Sequence, residues 1–294
     1  MGSRSFGEVI TAMVTPFDKG DNLDFEAADR LMDHLIKTGS DSILLSGTTG
    51  ESPVLTDSEK IELFKLGVKK CSGKAKVIAG TGSNDTRHSQ ELSKEAELCG
   101  VDCILLVTPY YNKPGQAGLY RHFEEIAASV KIPVILYNVP SRTCCNLGSK
   151  TCIELSRIEN IIAVKEASSD FRQIAEIIRA VDDFAVYSGN DGDTLPMLSL
   201  GAFGVISVAS HLVGNHIKKM ITQFKQGNVS EAAELHNWLL DIFYGIFITT
   251  NPVPIKHALN LAGITVGSTR LPLSGMSAEE LESLKKILSK YNLI

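Results

Sequence analysis

Eight short apolar runs rich in β-branched residues recur along the chain, each separated from the next by enough residues for a helix. They are Val9 to Val14, Ser42 to Leu45, Lys76 to Ala79, Cys103 to Val107, Val134 to Tyr137, Ile161 to Val164, Phe184 to Tyr187 and Val205 to Val208. Runs of this length and composition read as strands. They are nearly continuous in apolar character instead of alternating, which suits parallel strands covered by helices. Between them, Asp24 to Thr38, Asp57 to Lys70, Thr86 to Cys99 and Phe171 to Val181 carry apolar residues three and four positions apart behind acidic or hydroxyl starts. Those are marks of amphipathic helices. Eight strand-and-helix units over about 225 residues predict a (β/α)8 TIM barrel. A doubly wound open sheet alternates in the same way. Its dinucleotide fingerprint, however, fails at Gly80-Thr81-Gly82-Ser83-Asn84-Asp85, where Asp85 stands in place of the third glycine.

After the eighth run the chain shows no further strand signal. The stretch from about Ser230 to Ile294 reads as three helices, the last opening near Ser277 with Glu280 three residues on, a capping-box pattern. The expected organisation is a catalytic barrel over residues 1–229 with a C-terminal helical appendage over 230–294.

A chain of 294 residues that is 44% hydrophobic can bury a full core. With 29 basic against 34 acidic side chains the net charge is -5, which offers no footprint for nucleic acid. No apolar stretch nears the roughly 20 residues needed to cross a bilayer, so no membrane association is expected. Arg4 and the run from Val9 make too weak a secretory signal, and Phe6 occupies the hydroxyl position that myristoylation at Gly2 requires. Six cysteines without a C-x-x-C spacing suggest thiols in a reducing cytoplasm. The adjacent Cys144 and Cys145 read as two loop thiols, the alternative being a strained vicinal bridge.

In a barrel the chemistry sits at the carboxyl ends of the strands. Here those ends offer Thr15, Ser46 to Glu51, Gly80-Thr81, Thr108 to Tyr111, Tyr137-Asn138, Lys165-Glu166, Ser188-Gly189 and Ser207, a set rich in hydroxyls with a single lysine. Lys165 admits two readings. At the mouth of an apolar barrel its ammonium would lose solvation, its pKa would fall and its amine would become a nucleophile. Alternatively it begins the loop, points to water and pairs with Glu166, and position alone favours that. Tyr137 closes the preceding strand, about 4.8 Å away, where it is either a phenol beside the amine or a rim aromatic that only packs. Gly47-Thr48-Thr49-Gly50-Glu51 offers hydroxyls and backbone N–H groups that could hold a carboxylate, though an ordinary strand-to-helix turn would look the same. Asp191 and Asp193 put negative charge where phosphosugar barrels bind phosphate, which argues against that class. The seven histidines are scattered, with His211 and His216 five apart and off a common helical face, so no metal site is expected. No G-x-S-x-G elbow or H-E-x-x-H occurs.

Several motifs in order resemble the 4-hydroxy-tetrahydrodipicolinate synthase (dihydrodipicolinate synthase) family: Thr15-Pro16-Phe17, Gly47 to Ser52, Gly80-Thr81-Gly82, Thr108 to Asn112, Tyr137 to Thr143, Val164-Lys165-Glu166 and Ser188 to Asp191. The likeness continues through Gly204 to Val208, Asn251-Pro252-Val253-Pro254 and Arg270 to Leu273, so it spans nearly the whole chain. It implies a class I aldolase-type lyase of lysine and diaminopimelate biosynthesis that condenses pyruvate with L-aspartate 4-semialdehyde, without metal or organic cofactor, as a cytoplasmic homotetramer. By the same resemblance Lys165 forms the Schiff base and Tyr137 donates and accepts protons. Thr48 and Tyr111 complete a relay, Tyr111 reaching in from a neighbouring subunit. Thr49 holds the pyruvate carboxylate and Arg142 that of the semialdehyde, while Gly189 and Ile206 line the pocket through their backbone. An imine needs proton shuttling at several steps, which a chain of hydroxyls supplies.

The sequence departs from the family pattern at Thr249, where glutamate often stands, at His211, where asparagine is usual, and at Ser141, where glycine is common. The cleft through which lysine inhibits sensitive members uses histidines and a carboxylate at positions that here hold Asp57, Lys60 and His88. Ser52, Asn84 and Tyr110 remain, so weak feedback is expected. Two other functions fit the same scaffold: a sister aldolase, such as N-acetylneuraminate lyase or a 2-keto-3-deoxy sugar acid aldolase, and a non-catalytic 2-oxo-acid binding protein. Arg142 argues against the lyase, and intact Lys165, Tyr137, Thr48 and Tyr111 against the binding protein.

Overall fold

A computed structural model describes residues 6–294, so Gly2 and Arg4 lie outside the described residues. The strands are β1 (Val9–Ala12), β2 (Ser42–Leu45), β3 (Lys76–Gly80), β4 (Cys103–Val107), β5 (Val134–Asn138), β6 (Ile161–Glu166), β7 (Ala185–Ser188) and β8 (Gly204–Ser207). They run parallel and close into a barrel in chain order, β8 returning to β1. The helices are α1 (Phe25–Lys37), α2 (Asp57–Cys71), α3 (Thr86–Cys99), α4 (Gln116–Ala127), α5 (Pro140–Thr143), α6 (Ser149–Leu155), α7 (Phe171–Ala180), α8 (Thr194–Ser199), α9 (Ser210–Lys225), α10 (Val229–Gly245), α11 (Val253–Leu261) and α12 (Ala278–Lys290). The predicted TIM barrel is therefore present, with three helices after it.

Nearly continuous apolar strands serve two layers at once. Alternate residues, among them Ile10, Leu44, Ile78, Leu105, Ile135, Ala163 and Ile206, fill the barrel interior. Their neighbours, such as Ile43, Val77, Ile104, Leu136, Val164 and Val205, face the helix ring. A strand buried on both faces has no position where a polar residue is free of cost, which is why the runs read without alternation.

Local caps fix where the helices start. Thr56 and Glu59 form a capping box on α2, and Ser277 with Glu280 forms the expected one on α12. Asp85, the residue that spoils the dinucleotide fingerprint, caps α3 by accepting the N–H groups of Arg87 and His88. The outer hydrophobic layer continues without a break into Leu239, Ile242 and Phe243 of α10 and Ile255 and Leu259 of α11. Cys144 and Cys145 are both free thiols. Among the described residues no helix is long and apolar enough to cross a membrane.

Candidate active site

The strand that carries Lys165 extends further than its apolar run. Pairing with β5 continues through Tyr137↔Lys165 and Asn138↔Glu166, so both residues belong to β6 and not to the loop. Strand parity then sends their side chains to opposite faces. Glu166 goes outward, where its carboxylate accepts from Asn138 Nδ2 at 3.1 and 3.0 Å, Gln173 Nε2 at 3.1 Å and the Ser168 N–H at 2.8 Å. Lys165 goes inward and is 5% exposed, with Nζ 4.4 Å from the centroid of the Tyr137 ring. The water-facing, Glu166-paired lysine favoured from position alone is thus overturned.

Burial is the main force on the Lys165 amine, pulling its pKa down to about 8, with Asp191 opposing and Arg142 assisting. At pH 7 about a tenth of such an amine is neutral, against about one part in three thousand at the ordinary lysine value. Three lysines are buried, Lys60, Lys165 and Lys256. Lys60 lies 3.5 Å from Asp57 and Lys256 lies 2.7 Å from Glu51. Among the described residues only Lys165 of the three has neither a hydrogen bond nor an ion pair, which leaves its lone pair available. Burial raises the pKa of the Tyr137 phenol, while Arg142 and a hydrogen bond with the Thr48 side chain pull the other way.

Thr48 and Thr49 lie on the turn after β2, which fits under its neighbours only because small residues surround it. A Cβ on Gly80 would sit 2.3 Å from the Ser46 carbonyl. Thr48, Tyr137 and Arg142 line one cavity at the barrel mouth, together with Gly47, Tyr110 and Thr143. Thr49 is buried, and its hydroxyl accepts from Asn251 Nδ2 at 3.0 Å. Arg142, on α5, donates to the Asn251 carbonyl at 3.4 Å. One residue of the C-terminal segment thereby touches both Thr49 and Arg142, and its own buried Oδ1 has no hydrogen-bond partner. Sequence reading carried Asn251 inside a motif but gave it no role.

On the opposite side, Ile206 is fully buried in β8. The Gly189 N–H is committed to the Glu166 carbonyl at 2.7 Å, so its contribution to a pocket is its carbonyl and its lack of a side chain. A Cβ there would lie 2.6 Å from that of Ala167. Asp191 is buried and accepts the N–H groups of Val208 at 3.1 Å and Ala209 at 3.0 Å, as well as the Ser207 hydroxyl. The backbone donors after β8 therefore already hold a carboxylate, in line with the expectation against a phosphosugar enzyme. Asp193 accepts from Asn190 and Ser169.

Tyr111 is not brought to this group within one chain. It stands 89% exposed on the loop after β4, in the left-handed region at φ 74°. His211 is structural: Nε2 accepts the Val14 N–H at 3.1 Å and Nδ1 faces the Val208 carbonyl at 2.8 Å. Beside the cavity, the starts of α2 and α3 form a cleft lined by Ser52, Asn84, Tyr110, Asp57, Lys60 and His88. Asp57 there accepts from His88 Nε2 at 2.8 Å and from Lys60 Nζ at 3.5 Å.

Comparison with known proteins bears on the whole chain. The sequence model of the dihydrodipicolinate synthetase family matches residues 5–291. The chain is 51% identical to the 4-hydroxy-tetrahydrodipicolinate synthase of Oceanobacillus iheyensis over 288 residues, 98% of each protein. It resembles the crystal structure of the enzyme from Cyanidioschyzon merolae with lysine bound, at 46% identity and TM-score 0.97, over 98% of this chain and 99% of the other. It also resembles the chloride-inhibited dihydrodipicolinate synthase of Acinetobacter baumannii complexed with pyruvate, at 36% identity and TM-score 0.96, over 99% of this chain and all of the other.

Proposed function

Because the chain belongs to the dihydrodipicolinate synthetase family and acts as a 4-hydroxy-tetrahydrodipicolinate synthase, we propose that Lys165 is the amine on which it condenses pyruvate with L-aspartate 4-semialdehyde. The observation that carries this reading is the buried, unpaired Lys165 Nζ beside the Tyr137 ring. The amine adds to the pyruvate carbonyl and expels water to give an imine, and loss of a methyl proton gives an enamine. The enamine carbon attacks the aldehyde of the second substrate, and the semialdehyde's own amine then displaces Lys165 as the ring closes.

Each step moves a proton, and Tyr137 with Thr48 moves it, a role supported by the hydrogen bond between their side chains. Thr49 and the backbone around it bind the pyruvate carboxylate. Arg142 grips the carboxylate of the semialdehyde, and Gly189 and Ile206 bound the pocket. Tyr111 completes the relay from a neighbouring subunit of a homotetramer, a role that suits its exposure and strained backbone. The enzyme works in the cytoplasm, with no metal or organic cofactor. Incubation with pyruvate and borohydride, followed by peptide mass analysis, should find the reduced adduct on Lys165. An adduct on another lysine, or none, would remove this reading.

A further inference from the structure

The turn that carries Thr48 and Thr49 is held from the far end of the chain. Its last residue, Glu51, is in the left-handed region at φ 57° and donates its N–H to the Thr48 carbonyl at 3.1 Å, so fixing Glu51 fixes the turn. Its carboxylate faces Lys256 of α11 at 2.7 Å, with both side chains 1% exposed, and also accepts the Arg270 N–H at 3.0 Å. Lys256 donates in turn to the Ser268 carbonyl at 2.8 Å and lies 4.1 Å from the centroid of the Phe17 ring. Arg270 sits 4.2 Å from the centroid of the same ring.

A buried ion pair is a poor way to gain stability, since apolar residues of equal volume often serve as well or better. What it supplies is direction: the carboxylate can satisfy its charge in one place only. We propose that the Lys256–Glu51 ion pair is a positioning device that sets Thr48 and Thr49 for the pyruvate imine. The pair does not touch substrate; it acts through the turn. This inference rests on the assignment of pyruvate to that turn and of the imine to Lys165.

The test uses the full-length protein and the variants Glu51→Gln, Lys256→Met and the double variant, which removes both charges at nearly constant volume. Circular dichroism and thermal melting establish folding. Steady-state kinetics and the pyruvate dependence of borohydride trapping at Lys165 are then read well below the melting temperature. Each folded variant should raise the pyruvate KM and the half-saturating pyruvate for trapping at least fivefold, with a smaller effect on the semialdehyde KM. A change of less than fivefold, a loss confined to kcat, or equal losses toward both substrates would overturn the inference. So would failure of all the variants to fold, which would assign the pair to stability alone. Absence of trapping in the unaltered protein would instead overturn the Lys165 assignment itself, so the two failures are distinguishable.

Discussion

A lysine sealed against the barrel interior makes stability depend on pH in a direction that can be worked out. The pKa of Lys165 in the fold, about 8, lies below the ordinary value of 10.5. Between those values the unfolded chain binds more protons than the folded one, so stability rises as pH climbs from about 8 toward 10.5. Below pH 8 the full cost of burying the charge is present. Lys165→Met should therefore abolish activity yet stabilise the protein at pH 7, by on the order of 1–3 kcal/mol, with the gain shrinking as pH rises from about 8 and nearly gone by about 10.5. Thermal melts of both proteins across that range check it, and a Lys165→Met protein less stable at pH 7 would contradict the burial argument. Arg142 makes a separable contribution. Its fork can hold a carboxylate by two parallel hydrogen bonds, and loss of such a charge-assisted contact costs on the order of 2–4 kcal/mol. Arg142→Ala should lower turnover with the semialdehyde roughly 30- to 1,000-fold while pyruvate is still trapped at Lys165. Equal loss of both would remove Arg142 from the second-substrate site.

Strands and helices were legible because each layer of the barrel demands its own pattern from the sequence. Their ends were less so, and there the lost residues matter. The apolar run stops at Val164, but hydrogen bonding to β5 carries β6 on to Glu166 and decides by parity that Lys165 points inward. Composition cannot report where a ladder ends. The N-terminal turns of α2 and α3 give an element-level prediction about regulation. Where a cationic effector would need a free carboxylate, Asp57 is already matched by the imidazole of His88 and the ammonium of Lys60. L-lysine should inhibit weakly or not at all, a point that initial rates across a lysine titration decide. Strong inhibition at millimolar or lower lysine would show that the cleft rearranges to free an anion. The relative from Cyanidioschyzon merolae has lysine bound, which makes the comparison direct.

At the scale of the molecule, what the sequence did not reveal is contact across distance. Tyr111 is 89% exposed in a single chain and is not among the residues lining the cavity that Thr48 and Tyr137 share. If it serves a neighbour, mixing inactive Tyr111→Phe with inactive Lys165→Ala protein should restore part of the activity through hybrid sites once subunits exchange. A fully active monomer by sedimentation would exclude that arrangement. Asn251 and Lys256 were hidden for a related reason: Thr49 and its amide partner are 202 positions apart, and nothing local marks them as neighbours. That separation orders events during synthesis. A ribosome that has finished β8 has already delivered the amine, the phenol and the hydroxyl of Thr48, yet the turn holding Thr49 still lacks the bonds that Asn251, Lys256 and Arg270 make to it. Those bonds can form only once the chain through Arg270 has been translated, so this turn is among the last parts of the barrel mouth to gain its full set of contacts.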